Sequence, residues 1–318
     1  MLVIDDLTQV QLEQETVLTI GAFDGVHRGH QYLVQQLVKA AHESGRLAGL
    51  LTFHPHPDVV LAHRVPLYLT TPGEKVALLE RLGLDWVAIL RFDQEMARTS
   101  AADFVAMLCR HLHMVELWVG RDFALGRNRE GNVATLRKLG EELGFTVRVV
   151  EPLPEDGDPI SSTRIRQLLY QGNVREAARL LGRYPSLAGK VISGSKRGRL
   201  LGIPTANLEI RAERVIPADG VYAAYAVVGD QRYPAIVNIG RRPSFENSER
   251  TVEAHILDFN NDIYGFDLVI EFVERLRHEQ RFDDVDELIE QIHRDMRRAR
   301  ELLAVEGEKS EARLAEVK

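Results

Sequence analysis

A single cysteine, Cys109, is all the thiol chemistry available to the 318-residue chain, so intrachain disulfides and thiolate zinc cages are excluded by counting. It lies in the apolar-periodic stretch DFVAMLCRHL and reads as a core thiol rather than a nucleophile. No apolar run approaches the ~20 residues that a membrane span needs. The opening MLVIDDLTQVQLEQE lacks the basic and then apolar layout of a signal peptide, which makes a cytoplasmic location the expectation. An excess of positive charge is missing too. Forty Lys plus Arg stand against 47 Asp plus Glu, a net charge of −7, so there is no global basic field for nucleic acid or an anionic membrane. Neither is expected as a partner, and any phosphate chemistry has to be local.

What remains is globular material, with hydrophobic residues at 45% and charged residues at 27%. At roughly 150 residues per domain the length suggests two domains. In the first half, apolar runs at 17–23, 47–53, 86–90, 115–120 and 146–150 read as buried strands. Stretches with apolar residues three and four apart lie between them, the last closing on Gly144 as a helix C-cap. Strand and helix alternating in this way imply an α/β unit, a Rossmann-like parallel sheet with helices on both faces that binds ligands at the carboxyl ends of its strands.

After Gly182 the grammar changes. From Lys190 onward the runs alternate with period two, and VYAAYAVV, Gly229-Asp230 and QRYPAIVNIG form a hairpin signal. The second unit reads as a small antiparallel barrel followed by a long helix with acidic residues early and basic ones late. The expected division is 1–182, then 186–305, then a charged tail at 306–318.

The segment Gly21-Ala22-Phe23-Asp24-Gly25-Val26-His27-Arg28-Gly29-His30 follows the first strand and opens the first helix. Such a turn presents unpaired N–H groups and a positive dipole end to phosphate, and its glycines let the backbone come close. His27 and His30, three apart, fall on one face of the opening turn and can donate to phosphate oxygens during group transfer. The plain alternative is a surface turn with two solvated histidines. Downstream, ISSTRIR at 160–166 begins another helix; by itself it could be a Ser/Thr N-cap, but beside the histidine turn it reads as a second anion clamp. His54 and His56 lie in a proline-flanked turn with no accompanying carboxylate or thiol cluster, and they are not taken as metal ligands.

GAFDGVHRGH, LTFHPHP, GRDFALG and ISSTRIR resemble, in that order, the adenylyltransferase module of the prokaryotic bifunctional riboflavin kinase/FAD synthetases. GRLLGIPTANLEI, DGVYAAYA, NIGRRPSF and TVEAHILDFNNDIYG resemble their riboflavin kinase module. The resemblance implies ATP-dependent phosphorylation of riboflavin to FMN, then adenylylation of FMN to FAD with release of pyrophosphate, with Mg²⁺ as cofactor. It implies that His27 and His30 are catalytic phosphate-binding residues. Gly21, Phe23, Asp24, Gly29, Asp122, Ser162, Thr163 and Arg166 would belong to the nucleotide site. In the kinase module it makes Glu253 the base for the ribityl hydroxyl and gives Thr205 and Asn207 the Mg²⁺ and ATP phosphate. Gly194, Lys196, Gly198 and Gly202 would form a glycine-rich cationic loop that closes over phosphates. Two rivals stand beside this reading. One is another histidine-motif nucleotidyltransferase with an accessory barrel; the other is a flavin sensor without catalysis.

Overall fold

The computed structural model describes residues 1–63, 67–194, 202–241 and 250–316, with side chains described up to residue 307. Its residues fall into two compact units, Met1–Ser162 and Thr163–Lys318.

The first unit contains β1 (Leu2–Ile4), β2 (Thr16–Ile20), α1 (Arg28–Glu43), β3 (Leu47–His54), α2 (Pro57–Leu61), α3 (Pro72–Glu80), β4 (Trp86–Arg91), α4 (Gln94–Arg98), α5 (Ala101–Leu112) and β5 (Met114–Gly120). It continues with the short pair β6 (Ala124–Leu125) and β7 (Gly131–Asn132), then α6 (Val133–Leu143), β8 (Thr146–Val150) and the short pair β9 (Pro154–Glu155) and β10 (Asp158–Pro159). The main sheet has the order β1-β4-β3-β2-β5-β8, and all its pairings are parallel. Alternate residues feed two cores. Leu18, Leu51, Ala88 and Leu117 meet Phe104 and Leu108 of α5 and Leu136 of α6 on one face. Val17, Leu50 and Val87 meet Val34 and Leu37 of α1 and Leu79 of α3 on the other. Both faces of a parallel sheet must be covered in this way, as the apolar runs implied. Gly144 closes α6 with φ 82°, the left-handed conformation of a glycine C-cap.

The chain moves from β2 outward through β3 to β4, then returns to place β5 on the other side of β2. The carboxyl ends of β2 and β5 therefore flank a topological switch point, where open α/β sheets bind ligands. β1 was not anticipated. It is three residues long and among the described residues pairs only with β4, and Leu2 and Val3 are half exposed, so no buried alternation marked it.

The second unit takes in α7 (Ser162–Tyr170) from Thr163 onward, α8 (Val174–Leu181), β11 (Ser186–Ile192), β12 (Ala206–Glu209), β13 (Gly220–Val228), β14 (Gln231–Arg241), β15 (Arg250–Ile256), β16 (Asp267–Arg277) and α9 (Val285–Glu316). The strands close into a barrel in the order β11-β12-β15-β14-β13-β16, every pair antiparallel. Val228 faces Gln231 across the hairpin, and Gly229 alone of the two loop residues has positive φ, as a type II′ turn requires. On the outer surface Val221, Tyr225 and Leu276 pack against Ala299 and Leu303 of α9. The Tyr225 hydroxyl donates to the Leu303 carbonyl at 2.8 Å.

The compact units meet at Ser162 and Thr163, ahead of the division expected at Gly182. The reason lies in α7 and α8. The Ala218 N–H donates to the Leu169 carbonyl of α7, and α8 packs along β16, with an Arg175–Glu274 ion pair beside buried Ala177 and Leu180. At the other end α9 runs through the expected tail, because GEKSEARLAE is composed largely of good helix formers.

Candidate active sites

Beyond β2 the chain turns sharply. Phe23, Gly25 and Val26 have φ values of 47°, 80° and 38°, a cluster of left-handed residues of which only one is glycine. For a bulky or β-branched residue that conformation is strained, and it persists only where the surroundings over-determine it. Phe23 and Val26 are both buried, and the Asp24 carboxylate accepts the Leu69 and Thr70 N–H groups at 3.0–3.1 Å. The Gly25 N–H donates to the Thr70 hydroxyl at 3.1 Å. Asp24, expected at the nucleotide, thus uses its carboxylate to fix the turn. Gly21 opens it; a Cβ there would come within 3.0 Å of the Phe23 ring.

His27 is the N-cap of α1, its Nδ1 accepting the His30 N–H at 3.3 Å, so its ring proton sits on Nε2. The two imidazoles stack at 3.5 Å between centroids and 17° between planes, and Phe23 lies 4.8 Å from His30. Gly29 allows this stack, since a Cβ would stand 3.2 Å from His27 Nδ1. Burial, reinforced by His27 and by the Lys75 cation, holds half-buried His30 well below the ordinary histidine range, so it is neutral at pH 7. Among the described residues its Nδ1 is a buried atom with no hydrogen-bond partner.

The Ser162 hydroxyl donates to the Asp24 carbonyl at 2.8 Å, which brings the start of the ISSTRIR segment to the same turn. Arg28 pairs with Glu155 at 3.0 Å. Thr163 and Arg166 follow Ser162 on α7 and group with the second unit. Asp122 is exposed in the turn just past β5, at the carboxyl edge of the strand beside β2, and Arg129 donates to its carbonyl at 3.2 Å.

Sequence reasoning missed Lys75. It shares one stripe of α3 with Leu79 and is only 8% exposed, and its ammonium donates to the Ala22 carbonyl at 2.7 Å and the Thr52 hydroxyl at 3.2 Å. Burial pushes it down to about 8 against the opposing pull of Asp24. A lysine on the apolar stripe of a short helix is the signal that could have exposed it.

In the barrel, Asn207 of β12 pairs with Glu253 of β15, which pairs in turn with Asn238 of β14. Asn207 is 7% exposed and its amide occupies the space over Gly194, where a Cβ would meet Nδ2 at 2.2 Å and Oδ1 at 2.8 Å. Gly202 has φ 74°, a conformation that favours glycine. Thr205 lines a cleft of about 300 Å³ together with Pro204, Ala206, Phe259, Asp262 and Tyr264. His255 lies on the Glu253 face of β15, and its Nδ1 meets the Pro204 carbonyl at 2.7 Å, tying the PTAN turn to β15. Lys196 and Gly198 lie outside the described residues, as does the second half of the NIGRRPSF motif.

Among the described residues no group of His, Cys, Asp and Glu could hold a metal by itself. The Thr205 hydroxyl and the Asn207 amide carbonyl are nonetheless the hard oxygen donors that Mg²⁺ takes alongside substrate phosphates.

A strained histidine turn at the switch point of a parallel sheet, joined to a barrel with a buried amide beside a carboxylate, defines a two-unit phosphate-transfer protein. Residues 9–164 match the family model for FAD synthetase and 181–303 that for riboflavin kinase. The chain is 38% identical over 296 residues to the bifunctional riboflavin kinase/FMN adenylyltransferase of Escherichia coli (strain K12), covering 92% of this chain and 94% of that one. It is 36% identical over 293 residues to the Bacillus subtilis (strain 168) protein of the same name, with coverage of 90% and 92%. Its fold is also similar to the crystal structure of a macrolide-efflux protein from Streptococcus pneumoniae, with TM-score 0.85, 31% identity, and 94% and 98% of the chains covered. The chain belongs to the bifunctional riboflavin kinase/FMN adenylyltransferase family.

Proposed function

We propose that the barrel unit phosphorylates riboflavin with ATP to give FMN and ADP, and that the sheet unit then joins FMN to AMP from a second ATP, giving FAD and pyrophosphate. The observation that carries this reading is the pairing, in one chain, of a stacked histidine couple on a phosphate-binding turn with buried Asn207 set opposite half-buried Glu253 in a barrel ladder. Among the described residues no helix is long and apolar enough to cross a membrane.

In the first unit the attacking oxygen belongs to FMN, so the protein need supply no nucleophile. His27, with its proton on Nε2, and neutral His30 donate hydrogen bonds to the α-phosphate as charge builds there, in orientations set by their stack. The unpaired N–H groups opening α1 receive phosphate oxygens. Gly21, Phe23 and Gly29 give the turn its shape, Ser162, Thr163 and Arg166 clamp the triphosphate, and Asp122 borders the flavin phosphate. We take 1–182 as the adenylyltransferase module and 186–305 as the kinase.

In the second unit Glu253 accepts the proton of the ribityl 5′-hydroxyl as that oxygen attacks the γ-phosphate. Thr205 and Asn207 would hold Mg²⁺, which neutralises phosphate charge when bound. Gly194, Lys196, Gly198 and Gly202 cover the phosphates. The setting we infer is cytoplasmic, and the partners are riboflavin, FMN and ATP. Incubation with riboflavin, ATP and Mg²⁺, followed by chromatography, should show FMN appearing first and FAD following. Absence of FMN would sink the kinase assignment. FMN that accumulates without FAD would sink the assignment of the histidine turn.

A further inference from the structure

Lys75 is the only buried lysine among the described residues. A leucine at its place would fill the stripe of α3 without the cost of burying a charge. The hydrogen bonding of the turn does not explain its presence, because Thr52 already donates to the Ala22 carbonyl at 3.0 Å. That carbonyl is satisfied with or without the ammonium. Asp24 does not explain it either: its oxygens accept the Leu69 and Thr70 N–H groups and the Thr70 hydroxyl. The polar groups against the ammonium are the Ala22 carbonyl from the turn and the neutral Thr52 hydroxyl from β3. The titratable groups that feel its charge are Asp24 and His30 on the turn, and His27 stacks on His30. A cation fixed behind an anion-binding turn raises the local potential, and it opposes protonation of the imidazole that must donate to phosphate.

We propose that Lys75 is a positioning residue for adenylyl transfer: its buried charge fixes the Ala22–Phe23 peptide beneath the phosphate turn and sets a positive potential behind the imidazole pair, so both imidazoles meet the nucleotide in one orientation. The inference rests on the assignment of adenylyl transfer to this turn.

The test uses full-length parent, Lys75→Met and Lys75→Arg proteins. Steady-state kinetics of both half-reactions are combined with an NMR titration of the His30 ring. Misplacing a catalytic group by about 1 Å costs on the order of 10²-fold. Lys75→Met should therefore lower kcat for FAD formation roughly 10- to 100-fold, with the KM for ATP changed less than about threefold. Riboflavin phosphorylation should be unchanged, since it belongs to the other unit and reports an intact chain. His30 should titrate at higher pH than in the parent, and Lys75→Arg, which keeps the charge, should restore both the rate and the parental titration. FAD formation within twofold of the parent in Lys75→Met, or an unmoved His30 titration, overturns the proposal. Should Lys75→Met fail to fold, Lys75→Arg decides alone: a raised His30 titration or FAD formation well below the parent rate, with the charge retained, overturns it, and a parental titration with FAD formation near the parent rate supports it. A parent that makes no FAD from FMN sinks the reading of the turn, whereas a parent that makes FAD with Lys75→Met close to its rate overturns the role of Lys75 alone.

Discussion

Asn207 on β12 and Glu253 on β15 stand directly opposite each other in the barrel ladder, and Asn238 on β14 extends the same row. The rows on either side, Leu208–Val252–Ile239 and Ala206–Ala254–Val237, are buried or nearly so. Side chains alternate across a strand, so the amide–carboxylate–amide row lies on the outer face of the barrel, with apolar rows behind it. Glu253 is only half-buried there and flanked by neutral amides rather than cations. Among the described residues no ion pair holds its proton-accepting oxygens, which suits a base.

Replacing Glu253 by Gln keeps the shape of the row and removes the acceptor. A positioned base contributes about 10²–10⁴-fold, so kcat for riboflavin phosphorylation should fall within that range while the KM for ATP changes little. FMN adenylylation should be untouched. Steady-state kinetics of both half-reactions check this, and a Gln variant that phosphorylates riboflavin at the parent rate would remove Glu253 as the base.

Gly194→Ala tests the other side of the row. The new methyl would collide with the Asn207 amide at 2.2 Å, well inside contact distance, and Asn207 is too buried to swing away freely. Displacing that amide should weaken productive Mg²⁺·ATP use, seen as a raised KM for ATP and a lowered kcat in the kinase reaction alone. A kinase with parental constants would show that the amide can move without consequence.

Much of this was legible in the chain itself. The buried strands and amphipathic helices of the first unit announce themselves through period, and the histidine turn through its place between a strand and a helix. What escaped notice depends on tertiary contact. β1 is an edge strand with two exposed residues and no periodic signature. Lys75 stands out in the sequence only as a lysine on an apolar stripe, and its partners at the turn, like the hydrogen bonds from Leu69 and Thr70 to the Asp24 carboxylate, exist only once α3 and its preceding loop are docked. The pairing of Asn207 with Glu253 needs the barrel register, which no local pattern contains. The docking of α8 on β16 needs the fold too, because α8 carries an ordinary amphipathic face whose partner comes far later in the chain.

His27 and His30 should differ in what their loss does. Truncating His30 to Ala removes a transition-state donor and one half of the stack, and loss of one such donor costs about 10²–10³ in rate. His27→Ala also removes the N-cap of α1, a change that typically costs ~1 kcal/mol of stability. FAD formation should therefore collapse in both variants, with a lowered melting temperature only in His27→Ala, and riboflavin phosphorylation should survive in each. Equal melting temperatures would show that the cap contributes nothing to the stability of the helix.

The last expectation concerns stability and pH at Lys75. Its folded-state value is pushed down to about 8, while an unburied lysine titrates near 10.5. Below pH 8 both states are protonated and the full cost of burying the cation is present. Between about 8 and 10.5 the unfolded chain holds the proton that the folded chain has released, so stability rises with pH across that window. At 1.36 kcal/mol per pH unit the gain is about 3 kcal/mol at most. Tyr184 and Tyr222, pushed up to about 12, act in the opposite direction above pH 10, because the folded chain then holds protons that the unfolded chain has lost. Comparing the parent with Lys75→Met cancels that contribution and every other group common to both. The variant should be the more stable protein at pH 7, with the gap closing as pH approaches 10, although it is the poorer FAD synthetase. Thermal unfolding of the two proteins from pH 7 to pH 10 measures it. A gap that stays constant or widens would mean that the lysine is not buried as a cation and that its charge plays no part in the turn.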